Sequence, residues 1–412
     1  MVNQDKPKIL ISAYACEPNK GSEIGVGWNW VLEISKEFNV WVITRNNNKE
    51  VIEEWLNKNP NYNIKFLYYD LPKKLMFWKK GMRGVRIYYC LWQFGINKLI
   101  KKTMEKNKIK NFHHLTYGNA LLPIPKLNNV KYIWGPIGGV EIIEKEFSKH
   151  YNLRERVIEF IRRSMVKFIF FNIFFHQKCK MADLILCKTS AMYDNIPIKY
   201  KDKAIHCTDV GVDLDHKILD KKQNDKKNSI IKYLTTGRLD AWRGFDLLIE
   251  AFEVAAKKNP NIKLYIVGNG SDKKRLEKMI EKANMNEYIS LEGQVSIEEY
   301  RKKMKESDVV INSCLKEGGV TTSFDSVTFS KPLICIDTGG YTKNFSNGSA
   351  IIIERKSRDY IIQKLSEAIL NLTDKILRKE MIDLIEETKE NISWNNKGSE
   401  IRQVIREVLM HG

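Results

Sequence analysis

The sequence predicts an α/β protein with two doubly wound parallel sheets. Three observations carry the prediction. Apolar runs of strand length alternate with stretches whose apolar residues recur at helical spacing. The alternation occurs twice, on either side of a polar, lysine-rich segment, Lys221–Ser229. In the second series the strand ends repeatedly stop at Gly or another small residue.

Taken in order, KILISA at Lys8–Ala13 reads as a first strand, followed by a glycine-containing loop and a helix over Val26–Phe38. VWVIT at Val40–Thr44, IKFLYY at Ile64–Tyr69, NFHH ending at His114, KYIWGP at Lys131–Pro136 and DLILCKT at Asp183–Thr189 read as later strands. Beyond the lysine-rich segment come IIKYLTTG, KLYIVG, ISLEG, VVINS and PLICID, with helical stretches between them. The expected domains are 1–220 and 221–393, with 394–412 a helix crossing back to the first. Two such halves create a cleft where ligands are expected.

Composition narrows the class. A chain of 412 residues, 43% hydrophobic and 29% charged, with 10 Pro, is neither disordered nor collagen-like. The start of the chain lacks a small-residue cleavage site, which argues against a secretory signal, and an intracellular protein is expected. The seven Cys are scattered and form no CxxC pair, so neither a disulfide framework nor a zinc site is signalled. The most apolar stretch, Met165–Phe175, carries Lys167 and is too short to span a membrane.

The net charge of +19 points to an anionic partner. Lys73–Lys110 holds 12 Lys or Arg against one Glu, and Lys145–Lys180 nine against three. Aromatics such as Trp78, Trp92, Phe171 and Phe174 are interleaved with these charges. The pattern fits helices lying on an anionic membrane surface, and equally a basic face over a buried aromatic core. Single-stranded nucleic acid is the third reading and is set aside.

Candidate chemistry concentrates in the second half. TTGRLDAWRGF places Arg238 after a strand end and Arg243 at a helix entrance, two guanidiniums able to clamp one polyanion. Downstream, LKEGGVTTSFD holds Glu317, Gly318 and Gly319 ahead of a helical run with Asp325. Glycines permit close backbone approach, helix-start amides suit a phosphate, and a carboxylate further along can accept ribose hydroxyls. GNGSDKKRL lacks the third glycine of a dinucleotide fingerprint, so nicotinamide chemistry is not indicated. Asp213 and Asp215 form a DxD pair that runs straight into the lysine-rich segment, and no metal is expected there.

GRLDAWR, EGGVTTSFD, KPLI and DTGG occur in this order, with YACEPNKGSEIGVGWNW, WGPIGGVE and a late ISW elsewhere. In these motifs the chain resembles the family 4 retaining glycosyltransferases of the GT-B fold. The resemblance covers nearly the whole chain but names no substrate. Two positions depart from the family pattern: Arg243 stands where Lys is usual, and Asp325 where a second Glu is usual. The resemblance implies that Arg238 and Arg243 neutralise the diphosphate of a nucleotide-sugar donor. It further implies that Glu317 with the amides of Gly319, Val320 and Thr321 holds the sugar and distal phosphate, and that Asp325 holds the ribose.

For the first half it implies that the loop from Gly21 through Gly25 to Gly27 faces diphosphate and acceptor. A tight turn with packing value alone is the competing reading for Gly25 and Gly27. His113 or His114 would touch the transferred sugar; as strand neighbours they point to opposite faces, so at most one reaches a site. Front-face transfer with retention and without metal follows from the same resemblance. Charge placement and family habit together point to a glycan or lipid-linked acceptor at the inner face of the membrane, in bacterial surface polysaccharide synthesis. A sugar-nucleotide epimerase of the same architecture and a membrane-bound scaffold without catalysis remain the alternatives.

Overall fold

The computed structural model describes residues 6–72, 74, 76, 78–79, 84–212, 214, 230–316, 321–345 and 347–410. The chain divides into two compact units, each with its own parallel sheet.

The first unit comprises 1–140, 168–209 and 394–412. Its seven strands are β1 (Lys8–Ser12), β2 (Asn39–Thr44), β3 (Ile64–Tyr68), β4 (Asn111–His114), β5 (Lys131–Ile137), β6 (Leu184–Cys187) and β7 (Ala204–His206). They lie in the order β3-β2-β1-β4-β5-β6-β7, all parallel. Strands covered on both faces read as near-continuous apolar runs, and NVWVIT of β2 and LILC of β6 are buried at every residue. The helices of this unit are α1 (Ser22–Ser35), α2 (Lys49–Lys58), α3 (Val85–Gly95), α4 (Asn97–Asn107), α7 (Ile173–Met181), α8 (Ser190–Asp194) and α15 (Trp394–Met410).

The second unit comprises 141–167 and 210–393. Its strands β8 (Ile231–Thr236), β9 (Ile262–Val267), β10 (Ile289–Gly293), β11 (Val309–Asn312), β12 (Leu333–Ile336) and β13 (Ala350–Ile353) are parallel in the order β10-β9-β8-β11-β12-β13. Around them lie α5 (Lys145–Ser148), α6 (Leu153–Lys167), α9 (Phe245–Lys258), α10 (Lys273–Lys282), α11 (Ile297–Glu306), α12 (Thr321–Thr328), α13 (Arg358–Asn371) and α14 (Lys375–Asn391). In α9 the residues Leu248, Ala251, Phe252 and Ala255 recur at helical spacing and are buried, while Lys257 and Lys258 sit favourably in the last turn.

One segment departs from the expected division at residue 220, and the C-terminal helix groups as the sequence reading has it. The segment 141–167 groups with the second unit because Ile143, Phe147 and Tyr151 are buried in that unit's core. α15 groups with the first, where Ile401 and Ile405 enter the core and Arg402 Nη1 reaches Glu33 Oε2 of α1 at 2.5 Å. The edge strands β7 and β13 were absent from the strand pattern read in the sequence. β7 spans only three residues, too few to stand out by periodicity, whereas β13 is as long as four of the strands that are read.

Candidate functional site

In an open parallel sheet, ligands bind beyond the carboxyl ends of the strands where the winding reverses. In the second unit the reversal falls between β8 and β11. β8 ends at Thr236 and continues into Gly237 and Arg238. This turn is knitted to its neighbours: Gly237 N donates to Val267 O at 2.9 Å, Leu239 N to Asn269 O at 3.0 Å, and Gly268 N to Gly293 O at 2.8 Å. Gly268 has φ of +145°, and a Cβ there would stand 1.8 Å from Gly237 O, so only glycine lets the two strand ends meet.

Arg238 is exposed at 61% of its side chain and is held by Asp240, whose Oδ2 lies 2.6 Å from Nε. Arg243 is fixed more firmly. Its guanidinium stacks 4.4 Å above the Trp242 ring, Nη1 donates to Cys314 Sγ at 3.2 Å, and its carbonyl accepts from Ser313 Oγ at 2.9 Å. Its Cζ would lie 3.5 Å from a Cβ on Gly237, which places this fork against the end of β8. A planar guanidinium can stack and donate together in a way an ammonium cannot.

Across the switch point, Thr236 Oγ1 and Thr322 Oγ1 are 2.7 Å apart, tying β8 to the first turn of α12, where Thr321 also lies. One turn further on, Asp325 Oδ2 accepts from Tyr300 OH of α11 at 2.5 Å. Burial pushes the Asp325 carboxyl up to about 6, against the opposing pull of the Tyr300 phenol and Arg301. Asn312, at the end of β11, donates through Nδ2 to Ser323 Oγ at 2.9 Å and Tyr341 OH at 2.7 Å, fixing α12 from beneath. Glu317, Gly319 and Val320 lie outside the described residues, as do Asp213 and Asp215 of the DxD pair.

Thr236, Thr322, Tyr300 and Lys316 were not singled out from the sequence. The first two carried a readable signal, since small hydroxyl residues flank both the GRL and the EGG motifs. Tyr300 and Lys316 gave none, because their importance arises only from distant partners.

In the first unit the strand-to-helix turn after β1 is tightly packed. A Cβ on Gly25 would stand 1.9 Å from Lys20 O, and one on Gly27 would stand 2.1 Å from Ala15 O. Gly21, which caps α1, has open space around it. The loop after β4 joins this turn: Ala15 N donates to Thr116 Oγ1 at 3.0 Å, and Tyr117 N to Glu23 Oε1 at 2.5 Å.

His113 and His114 do point to opposite faces of β4. His113 packs edge-on to Trp30 of α1, 5.9 Å between ring centroids, and donates through Nε2 to Gly135 O at 2.6 Å. His114 lies against α3, with Nε2 3.0 Å from Tyr89 OH. Both rings are fully buried. Burial pushes His113 down to about 4, and burial with neighbouring His113 and Lys178 pushes His114 down to about 3, so both are neutral at physiological pH.

The basic aromatic stretches divide between buried and exposed positions. Tyr89 and Trp92 are core residues, yet Leu153 is 76% exposed, Phe171 81% and Phe174 74%. Among the described residues no helix is long and apolar enough to cross a membrane.

Two doubly wound units, the second with paired arginines at its switch point, define a GT-B fold of the glycosyltransferase type. Residues 216–388 match the family model described as glycosyl transferases group 1. An uncharacterized glycosyltransferase of Methanocaldococcus jannaschii is 25% identical over 375 residues, covering 82% of this chain and 87% of its own. A glycosyltransferase from Rickettsia africae superposes with a TM-score of 0.64 at 16% identity, over 99% of this chain and 100% of that one. Anabaena HepE, solved with UDP and glucose, superposes with a TM-score of 0.59 at 12% identity, over 97% of this chain and 100% of its own. The matches support a glycosyltransferase.

Proposed function

We propose that this protein transfers a sugar, with retention and without metal, from a nucleoside diphosphate sugar to a glycan or lipid-linked acceptor at a membrane surface. The observation that carries the reading is the placement of Arg238 and Arg243 at the end of β8, the strand whose Thr236 is hydrogen-bonded to Thr322 in the first turn of α12. Breaking the bond from anomeric carbon to diphosphate builds negative charge on the leaving phosphate. Two fixed guanidiniums and helix-start amides stabilise that charge in place. Asp325 and the pair Thr236 and Thr322 supply polar groups for the nucleoside side. HepE, with the same fold, was solved with UDP and glucose, which favours a nucleotide-sugar donor here.

The outer face of α6 supports the membrane part of the reading. Leu153, Val157, Phe160, Ile161 and Met165 are exposed on it, and Arg154, Arg156 and Lys167 are exposed beside them. Both acids of the helix, Glu155 and Glu159, turn inward. Apolar and cationic groups without exposed acids suit an anionic lipid surface.

Titration of the protein with UDP, GDP, ADP and CMP, in EDTA, tests the donor reading. Micromolar binding of one nucleoside diphosphate, lost in Arg238→Ala, is the expected result; binding of none overturns it. Co-sedimentation with vesicles containing phosphatidylglycerol, compared with neutral vesicles, tests the membrane reading. Equal recovery from both would sink it.

A further inference from the structure

The inner face of α6 leads to the two arginines. Glu159 is buried, and its Oε1 forms an ion pair with the ammonium of Lys316, which is also buried. Lys316 lies 157 residues further along the chain, where β11 has just ended. Its Nζ stands 5.7 Å from the Trp242 ring, the ring on which Arg243 stacks at 4.4 Å. The same two loops are joined through the backbone, Leu315 N donating to Trp242 O at 3.1 Å. From Glu159 the contacts therefore run without a gap to the guanidinium of Arg243.

One turn earlier, Glu155 begins a second chain. The hydroxyl of Ser271 donates to Glu155 Oε1 at 2.8 Å and lies 3.4 Å from Asp240 Oδ1. Asp240 Oδ2 in turn holds Arg238 Nε at 2.6 Å. Spacing of four residues puts Glu155 and Glu159 on one side of the helix. One carboxylate thus reaches each arginine.

The chemistry of these contacts argues for precision rather than stability. A buried ion pair often recovers little more than its own desolvation cost, so an apolar pair of similar volume would hold α6 to the unit about as well. What the ion pair adds is a fixed geometry for Lys316, and through it for Trp242. Ile143, Phe147 and Tyr151 already anchor the segment by burial. Arg162 Nε, 3.8 Å from the same Glu159 oxygen, adds a second cation to the cluster.

We propose that Glu159, with Glu155 one turn before it, is a positioning residue for the donor diphosphate, acting on Arg243 through Lys316 and Trp242 and on Arg238 through Ser271 and Asp240. This rests on the donor reading above. Neither glutamate touches the donor. Each sets where a guanidinium stands when the diphosphate arrives, so the effect falls on phosphate recognition and leaves nucleoside recognition alone.

The test compares a nucleoside diphosphate with its monophosphate, UDP with UMP and GDP with GMP, by calorimetry on the full chain. In the wild type the diphosphate binds more tightly. Glu159→Gln is expected to lower the ratio of the two affinities about tenfold while monophosphate affinity stays within twofold. Glu159→Asp, which keeps the charge, stays within threefold of the wild-type ratio. A structural role alone would weaken both ligands together, and that outcome overturns the proposal, as does an unchanged ratio. Ser271 is exposed, so Ser271→Ala tests the second chain in a protein whose folding is not at stake. Its ratio is expected to fall about threefold, and an unchanged ratio overturns the Arg238 branch. Failure of the wild type to bind any nucleoside diphosphate is a different result: it removes the donor reading, and the proposal falls with it.

Discussion

Tyr300 and Asp325 meet across α11 and α12, the phenol donating to Oδ2 of the carboxylate at 2.5 Å. Burial raises this carboxyl to about 6, well above an ordinary aspartate. Above pH 6 it is ionised and able to accept a ribose hydroxyl; below pH 6 it gains a proton and loses part of that capacity. Nucleoside diphosphate affinity should therefore fall roughly three- to tenfold between pH 7.5 and pH 5. Stability runs the other way. The folded value exceeds the unfolded one, so this group's contribution is complete below about pH 4 and is lost as pH rises through 6. Asp325→Asn should flatten both trends, and calorimetry across that range checks the first. A wild-type affinity independent of pH would show that this carboxylate does not meet the ligand.

Arg243 and Arg238 should respond differently to substitution. Arg243 is stacked on Trp242 and bonded to Cys314, so Arg243→Lys keeps the charge but loses the fork and the stack. Donor affinity should drop about tenfold. Arg238 is exposed and held only through its own Asp240 in the described contacts. Arg238→Ala should leave thermal stability within about 2 °C of wild type and cut turnover by about 100-fold or more, the usual cost of removing a donor aimed at developing charge. Steady-state kinetics beside a thermal melt separates the two effects.

Gly268 and Gly293 offer a contrast within one set of loops. Both have positive φ, +145° and +71°, but a Cβ on Gly268 collides with Gly237 O at 1.8 Å whereas one on Gly293 meets nothing within 4 Å. Gly293→Ala should cost about 1 kcal/mol of backbone strain. Gly268→Ala should cost about 3 kcal/mol or more, and should weaken diphosphate binding because the displaced Gly237 lies against Arg243. Urea unfolding of the two variants measures the difference. Equal losses would mean that the strand ends have room to separate.

Much of this architecture is legible in the sequence because burial on both faces leaves strands such as LILC and LICI apolar at every position. GRLDAWR and the run before KPLI are likewise readable, since glycine and hydroxyl residues must stand where chain segments meet. The alternation of His113 and His114 follows from strand geometry alone. Their common burial does not, because it depends on α1 covering one face and α3 the other. The membership of α6 in the second unit is equally hidden. Its outer apolar residues and inner glutamates produce an ordinary amphipathic pattern, and nothing local distinguishes a glutamate in solvent from one paired 157 residues away.

The docking of α15 onto α1 makes the last prediction. Arg402 reaches Glu33 at 2.5 Å and Glu37 at 2.9 Å, and Arg406 also pairs with Glu37. Glu33 is nearly buried but keeps Lys36 at 2.6 Å as a second partner, so Arg402→Ala should destabilise the first unit by about 2 kcal/mol, less than a fully orphaned charge. Burial alone would raise the Glu37 carboxyl, but hydrogen bonds from Arg406 and Arg402 hold it below the ordinary value. A lowered folded value means that the stabilisation is present above the unfolded pKa and disappears as pH falls through the folded one. The gap between wild type and Arg402→Ala should therefore be widest near pH 7 and narrow below about pH 4. Urea titrations at both pH values, followed by intrinsic tryptophan fluorescence, read it directly. A gap that persists at low pH would assign the loss to packing of the arginine stem instead of its charge.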